Sequence, residues 1–142
     1  MLAYLTDGEL ADFWSALDEI LEPGGFLLVS HSNELFDLFA LNAGTADFFA
    51  RHFDADVSEL LPPHAAGARY NVRANPLTYA SELAEHGLEE ISRAYFNLHP
   101  KPPALLGEGD EGRVIDPDEI ARVPMWKQQL QCSTLFSLSR RV

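Results

Sequence analysis

The sequence predicts an α/β domain in which helices cover a small sheet. Three observations carry this prediction. An amphipathic helical pattern precedes a short apolar run, a Pro-Gly-Gly turn joins the two, and helical and strand patterns then alternate along the chain. With 142 residues and no internal repeat, the chain has the size of one ordinary domain.

The first predicted element is a helix. Thr6 and Glu9 have the spacing of a capping box, and Pro23-Gly24-Gly25 marks the end of the helix and the turn that follows. Between the capping box and this turn, apolar residues recur every three or four positions, so we expect this helix to pack flat on a sheet. The stripe consists of Leu10, Phe13, Trp14, Leu17, Ile20 and Leu21.

The apolar run at residues 26–29 predicts a strand buried on both faces, as in a parallel sheet. His31, Ser32 and Asn33 then fall just past the end of this strand. Two short helices are expected next, the first over residues 34–41 and the second with Thr45 as its N-cap.

The second half begins with another helix start, Asn75 as cap and Pro76 at the first helical position, and Gly87 ends that helix. The remaining predicted elements follow in chain order: a strand over residues 88–98, a long Pro- and Gly-rich loop over 99–116, a short helix opened by Asp116-Pro117, and a last strand over 131–141.

Composition limits the partners and the compartment. The formal net charge of −12 repels phosphate backbones and anionic membranes, so we expect neither nucleic acid nor membrane as a partner. With Cys132 as the single cysteine, no internal disulfide and no cysteine zinc site is possible, which fits a cytoplasmic protein. The five histidines include no i, i+4 pair, and no metal site is predicted.

The segment YLTDGELADFWSALDEILEPGGFLLVS resembles the stretch from the end of strand four through strand five in class I S-adenosylmethionine-dependent methyltransferases. That family shows an acidic amphipathic helix, a leucine, a Pro-Gly-Gly turn and an apolar strand in this order. The segments HSNELFDLFALNAGTADFF, NPLTYASELAEHGLEE and AYFNLHPKPP resemble the acceptor-side insert and strand six of a bacterial small-molecule subgroup. STLFSLSRRV resembles the terminal antiparallel strand.

The resemblance implies a partial Rossmann-like methyltransferase sheet made of strands five, six and antiparallel seven, with covering helices and a helical insert. The whole chain, 1–142, is then the C-terminal portion of a methyltransferase domain. Residues 1–31 supply a helix and strand five, 32–70 the acceptor-side helical insert, and 71–142 a helix, strand six, the loop and the last strand.

The resemblance also implies S-adenosylmethionine as cofactor, but the family's Gly-rich turn after strand one has no counterpart here. The nearest pattern, Gly107-Glu108-Gly109, does not follow a predicted strand. Tyr4 and Leu5 match the position just after strand four and are the cofactor contacts that remain. We therefore expect weak or absent cofactor binding by this chain alone, and expect an N-terminal half to supply the rest of the pocket.

Without strand four, residues 26–30 would form an open sheet edge. An apolar edge strand without proline pairs readily with another strand. We therefore expect the edge at Phe26–Ser30 to be completed by a complementing N-terminal half or by a second copy in a homo-oligomer.

His31 and His99 are the candidate catalytic residues, since each follows a predicted strand and histidine can take a proton from an acceptor group during methyl transfer. His31 is the first choice. The alternative for both is a structural role, capping a strand or bonding a backbone carbonyl. Asn33, Phe36, Phe39 and Asn97 are candidates for binding the substrate. Asn33 alternatively caps the next helix, and the two phenylalanines alternatively belong to the core.

The resemblance therefore implies methyl transfer to a small-molecule acceptor by a chain that works only when a cofactor-binding half completes it. Two alternatives stay open. The first is a non-catalytic remnant or interaction module that pairs through its open edge. The second is a different α/β enzyme with its site around His31 and His99.

Overall fold

The computed structural model describes residues 2–62, 72–110 and 112–142. It shows a mixed α/β protein with a three-stranded sheet and several helices. The chain divides into two compact units. The described part of the first unit is residues 2–32, 72–94 and 134–142, and that of the second is residues 33–62, 95–110 and 112–133.

The described residues form three strands and six α-helices. The strands are β1 Phe26–Ser32, β2 Leu88–Leu98 and β3 Cys132–Arg141. The helices are α1 Asp7–Ile20, α2 Phe36–Ala40, α3 Ala43–Phe53, α4 Tyr79–Glu85, α5 Pro117–Ala121 and α6 Met125–Gln131.

Local chemistry explains where several elements begin and end. The Thr6 hydroxyl accepts the backbone N–H of Glu9 at 3.3 Å and the Glu9 carboxylate accepts that of Thr6 at 2.8 Å, which confirms the capping box of α1. Asp116 caps α5 as expected. Gly87 follows α4 with a φ of +66°, a left-handed conformation that glycine adopts without strain. β2 has the predicted bounds.

Several predicted boundaries were wrong. The cap of α3 is Asn42, and Thr45 is instead the third helical residue, whose hydroxyl accepts the Asn42 N–H. Asn75 opens a turn, and α4 begins only at Tyr79. The helix α6 was not predicted, because Pro124 precedes it in place of a polar cap. The predicted boundary between residues 70 and 71 lies outside the described residues.

The sheet has the order β1-β3-β2, with β3 between the other two strands. β1 and β3 pair antiparallel from Phe26↔Arg140 to Ser32↔Thr134. The resemblance implied that the terminal strand would pair antiparallel with the strand after the Pro-Gly-Gly turn, and this pairing is confirmed. The strand also extends to Ser32, so that His31 lies within β1 and not just past its end.

The two faces of the β1–β3 pair differ in burial. His31 lies opposite Leu135 on a face that also holds buried Ser137 and Ser139. On the other face Phe26 and Leu28 remain 62% and 68% exposed. Burial of β1 on both faces was therefore wrong for the described chain, because no described element covers this second face of the strand.

The outer edge of β1 carries backbone groups that, except at Ser32, have no bonding partner among the residues the structure describes. Arg141 N–H bonds to the Gly25 carbonyl and Asn33 N–H bonds to the Ser133 carbonyl, so odd-numbered residues of the strand face β3. Even-numbered residues must face the opposite edge. Ser32 confirms this, since its carbonyl accepts the N–H of Ala74 at 2.9 Å. No described residue bonds in this way to Phe26, Leu28 or Ser30.

The described helices include none that is both long enough and apolar enough to cross a bilayer. Cys132 is fully buried, and burial raises the pKa of its thiol to about 12. The thiol therefore stays protonated and unreactive at neutral pH.

Candidate functional site

A buried histidine and a buried tyrosine form the most distinctive polar contact of the first unit. The Nε2 atom of His31 lies 2.6 Å from the hydroxyl oxygen of Tyr79, the first residue of α4. The two rings also meet edge to face with centroids 4.6 Å apart. The residues are only 3% and 4% exposed. Each ring gives the other a hydrogen-bond partner, which offsets the cost of burying their polar groups.

Burial keeps both rings of this pair uncharged at neutral pH. Desolvation, with a smaller contribution from the positive charge of Arg93, lowers the pKa of His31 to about 4, although Glu90 opposes the shift. Desolvation raises the pKa of Tyr79, with Glu90 and Glu82 adding to the rise and Arg93 opposing it. His31 is therefore a hydrogen-bonding group and a weaker base than an ordinary histidine.

Arg93, a residue of β2, places its guanidinium near the ring of Tyr79. Its Nε and Nη2 atoms lie 2.8 and 2.7 Å from the two carboxylate oxygens of Glu90, and its Nη1 donates to the carbonyl of Pro76. The guanidinium carbon lies 6.0 Å from the centre of the Tyr79 ring. The Arg93–Glu90 pair is largely buried, and its two hydrogen bonds fix the guanidinium near the start of α4.

His31 and Tyr79 line a pocket of about 240 Å³ that lies within the first unit. Leu10, Trp14 and Leu83 give it apolar walls. The ring of His86 stacks on the indole of Trp14, with centroids 4.2 Å apart and planes 8° apart, and so forms another wall. Enclosed apolar walls with a few convergent polar groups are typical of small-ligand sites.

His99 lies in the second unit, directly after β2. Its ring packs on Phe36 with centroids 4.8 Å apart, and Phe36 and Phe39 lie 6.1 Å apart. Its Nδ1 atom is buried without a hydrogen-bond partner among the described residues. Burial lowers the pKa of His99, the charge of Arg113 adds to this, and the Gly112 backbone opposes it. The structure thus brings together His99, Phe36 and Phe39 of the predicted site.

Asn33, a residue of the second unit, is almost fully buried, and its side chain forms hydrogen bonds with the backbone of that unit. Its Nδ2 donates to the carbonyls of Gln129 and Cys132 at 2.6 and 2.7 Å, and its Oδ1 accepts the Leu35 N–H at 3.1 Å. These bonds hold the chain that enters α2, but Asn33 is not the cap that the alternative expected, since Leu35 is the N-cap and α2 has no side-chain cap bond. Asn97 has a φ of +54°, a left-handed conformation that asparagine tolerates better than most residues.

The two predicted cofactor contacts lie at the start of the first unit. Tyr4 is exposed in a short 3-10 turn, Leu2–Tyr4, and Leu5 follows it, half-buried, with its N–H bonded to the Leu2 carbonyl. Gly107 and Gly109 lie in open surroundings, since a Cβ added to Gly107 would come no closer than 3.6 Å to another group and one on Gly109 would meet nothing within 4 Å.

A second polar cluster joins α2 and α3 in the second unit. Arg51 lies 2.5 Å from the carboxylate of Glu34 and 3.2 Å from that of Asp37, and His52 lies 2.8 Å from Glu34. Both carboxylates are buried, and their partners compensate the cost of that burial. Within the described part of the chain, no three His, Cys, Asp or Glu side chains are grouped so that they could hold a metal ion.

Sequence reasoning missed Tyr79, Arg93 and Glu90 as parts of the site. The pattern around Asn75-Pro76 signals a helix start, and an aromatic residue near that start was the available hint. Its partner lies 48 residues away in sequence, and the distance between them depends on how α4 packs on the sheet.

Comparisons with protein-family models, with curated proteins and with solved structures found no match to this chain.

Proposed function

We propose that this chain is the acceptor side of a class I methyltransferase, which transfers a methyl group from S-adenosylmethionine to a small molecule when a cofactor-binding half completes the sheet. The observation that carries the proposal is β1, an apolar strand paired antiparallel with the terminal strand on one edge, whose other edge from Phe26 to Ser30 pairs with no described residue. Such an open edge is where a fourth strand would add.

The exposed surface of β1 supports the same proposal. Its open edge presents the backbone of Phe26, Leu28 and Ser30, and the side chains of Phe26 and Leu28 extend from the uncovered face. Soluble proteins rarely leave such an edge unprotected, because it pairs with other strands. No charged residue occurs in β1, so no like-charge repulsion within the strand opposes addition of another one.

The chain's own residues would bind and orient the acceptor, while the bound cofactor would supply the methyl group. In this proposal His31 and Tyr79 hold the acceptor group by hydrogen bonds in their pocket, and His99 with Phe36 and Phe39 gives a second acceptor-side surface. Methyl transfer depends mainly on proximity and alignment, so a weakly basic His31 suits positioning better than proton removal. We also propose a cytoplasmic location, where Cys132 stays reduced.

The test is calorimetry with S-adenosylhomocysteine. The titrated proteins are this chain alone and the chain coexpressed with any polypeptide encoded in frame upstream that contains a Gly-rich strand–turn–helix. We expect saturable binding by the complex only. Ser30→Pro removes an outward N–H of the open edge and should prevent assembly and binding, whereas Ser30→Ala should permit both. Micromolar binding by the chain alone would contradict the proposal.

The open edge also favours a second candidate, a non-catalytic module that pairs through β1 with another chain or with its own copy. Light scattering separates the two. If the chain forms a stable dimer that Ser30→Pro converts to a monomer, and no assembly binds S-adenosylhomocysteine, the interaction module is the better account.

A further inference from the structure

The pocket of His31 and Tyr79 has a buried end and an open end with different chemistry. The His31–Tyr79 pair forms the buried end, since both residues are almost completely shielded from solvent. Glu82 and Glu85, exposed on α4, lie at the open end. Leu10, Trp14 and Leu83 also line the pocket, so a bound molecule would meet apolar side chains as well as both sets of polar groups.

The buried end suits an uncharged hydroxyl. Both rings are neutral and share one hydrogen bond of 2.6 Å, so the Tyr79 hydroxyl keeps either its proton or a lone pair for a ligand. A buried ammonium or carboxylate would lose its hydration without meeting an opposite charge on either ring, which is costly. A hydroxyl can both donate to and accept from such a pair.

The open end suits a positive charge. Its carboxylates, Glu82 and Glu85, outnumber the single guanidinium of Arg73 among the pocket residues. On the other side of Trp14 and His86, a neighbouring groove adds Asp7 and Asp18, the second of which pairs with Arg141. The last turn of α4 also ends at Glu85, where the helix dipole is negative.

We propose that this pocket binds a one-ring molecule that carries a hydroxyl beside His31 and Tyr79 and an ammonium group beside Glu82 and Glu85. The volume of about 240 Å³ is smaller than that of sites for drug-sized ligands and fits a fragment with a single ring. As the identity of a methyl acceptor the inference rests on the proposed function, but the binding itself requires neither cofactor nor methyl transfer.

Tyramine is the probe, and two relatives test its two ends. Phenethylamine lacks the hydroxyl and should bind about three- to tenfold more weakly, the effect of one buried hydrogen bond. 3-(4-Hydroxyphenyl)propionate replaces the cation by an anion and should bind about tenfold more weakly or worse. Quenching of Trp14 fluorescence reports binding when exposed Trp126 is replaced by Phe.

Matched variants assign the charge effect to the pocket. Glu82→Gln combined with Glu85→Gln should weaken tyramine binding about three- to tenfold and leave phenethyl alcohol unaffected. Glu19→Gln combined with Glu22→Gln, which removes two exposed negative charges outside the pocket, should change neither. Absence of saturable tyramine binding up to about 10 mM, or equal binding of the amine and the propionate, overturns the inference. Neither result bears on S-adenosylhomocysteine binding, which tests the proposed function separately.

Discussion

His31 and His99 occur near the ends of two strands, yet their side chains have different surroundings. His31 bonds to Tyr79 and lines a pocket in the first unit. His99 packs on Phe36 in the second unit and keeps a buried Nδ1 atom without a partner among the described residues. Burial lowers the pKa of both. The comparison teaches that position on a strand does not decide a histidine's role, whereas its hydrogen-bond partner does.

The largest expected effect is the pH dependence that His31 gives to stability. Its pKa falls from about 6.5 in an unfolded chain to about 4 in the fold, so the unfolded chain binds the proton more readily. This contribution is fully present above about pH 6.5 and is lost as the pH falls towards 4, a change of about 3 kcal/mol.

Urea unfolding between about pH 7 and pH 4 measures this effect. In His31→Gln the free energy of unfolding should fall by about 3 kcal/mol less over this pH range, so its slope against pH should be shallower. The imidazole ¹⁵N shift of His31 should titrate near pH 4. Equal slopes in the two proteins, or a His31 midpoint near 6.5, would show that the ring is not buried as described.

The next effect concerns the partner of His31. Tyr79→Phe removes the hydroxyl and leaves Nε2 of His31 buried without a hydrogen bond, which should lower the free energy of unfolding by about 1–3 kcal/mol. Ser81→Ala removes an exposed hydroxyl of α4 and should change it by less than about 0.5 kcal/mol. Chemical denaturation of both variants checks the difference, and similar small losses would contradict the assigned bond.

The smallest expected effect is at His99. His99→Leu removes a buried nitrogen without a described partner, and this gain offsets the loss of ring contact with Phe36. We expect the free energy of unfolding to change by less than about 1 kcal/mol. A loss as large as that of Tyr79→Phe would remove the contrast between the two histidines.

Local signals in the sequence predicted much of the fold. The capping box at Thr6, the cap at Asp116 and the bounds of β2 depend on neighbouring residues, and each was confirmed. The pairing of the first strand with the last was also confirmed, on the basis of the family resemblance. The start of α3 was wrong because Asn42 and Thr45 both belong to one capping box, and either could have been its first residue.

The site was less predictable than the fold because its bonds join distant parts of the chain. His31, predicted as a catalytic residue, lies in a pocket, but Tyr79 meets it only through the packing of α4, and Arg93 of β2 lies by Tyr79. Burial then changes the chemistry expected of His31, since a histidine with a pKa of about 4 is mainly a hydrogen-bonding group at neutral pH. The roles of His31, His99, Tyr4, Leu5 and the predicted substrate-binding residues stay predictions.

Hydrogen exchange along β1 tests most directly whether the outer edge of this strand is open and able to pair with another strand. In the monomeric chain, the amides of Phe26, Leu28 and Ser30 should exchange at least about 100-fold faster than those of Leu27, Val29 and His31, which face β3. Addition of the complementing half should slow the first three. Equal protection of all six amides in a chain shown to be monomeric would contradict the account.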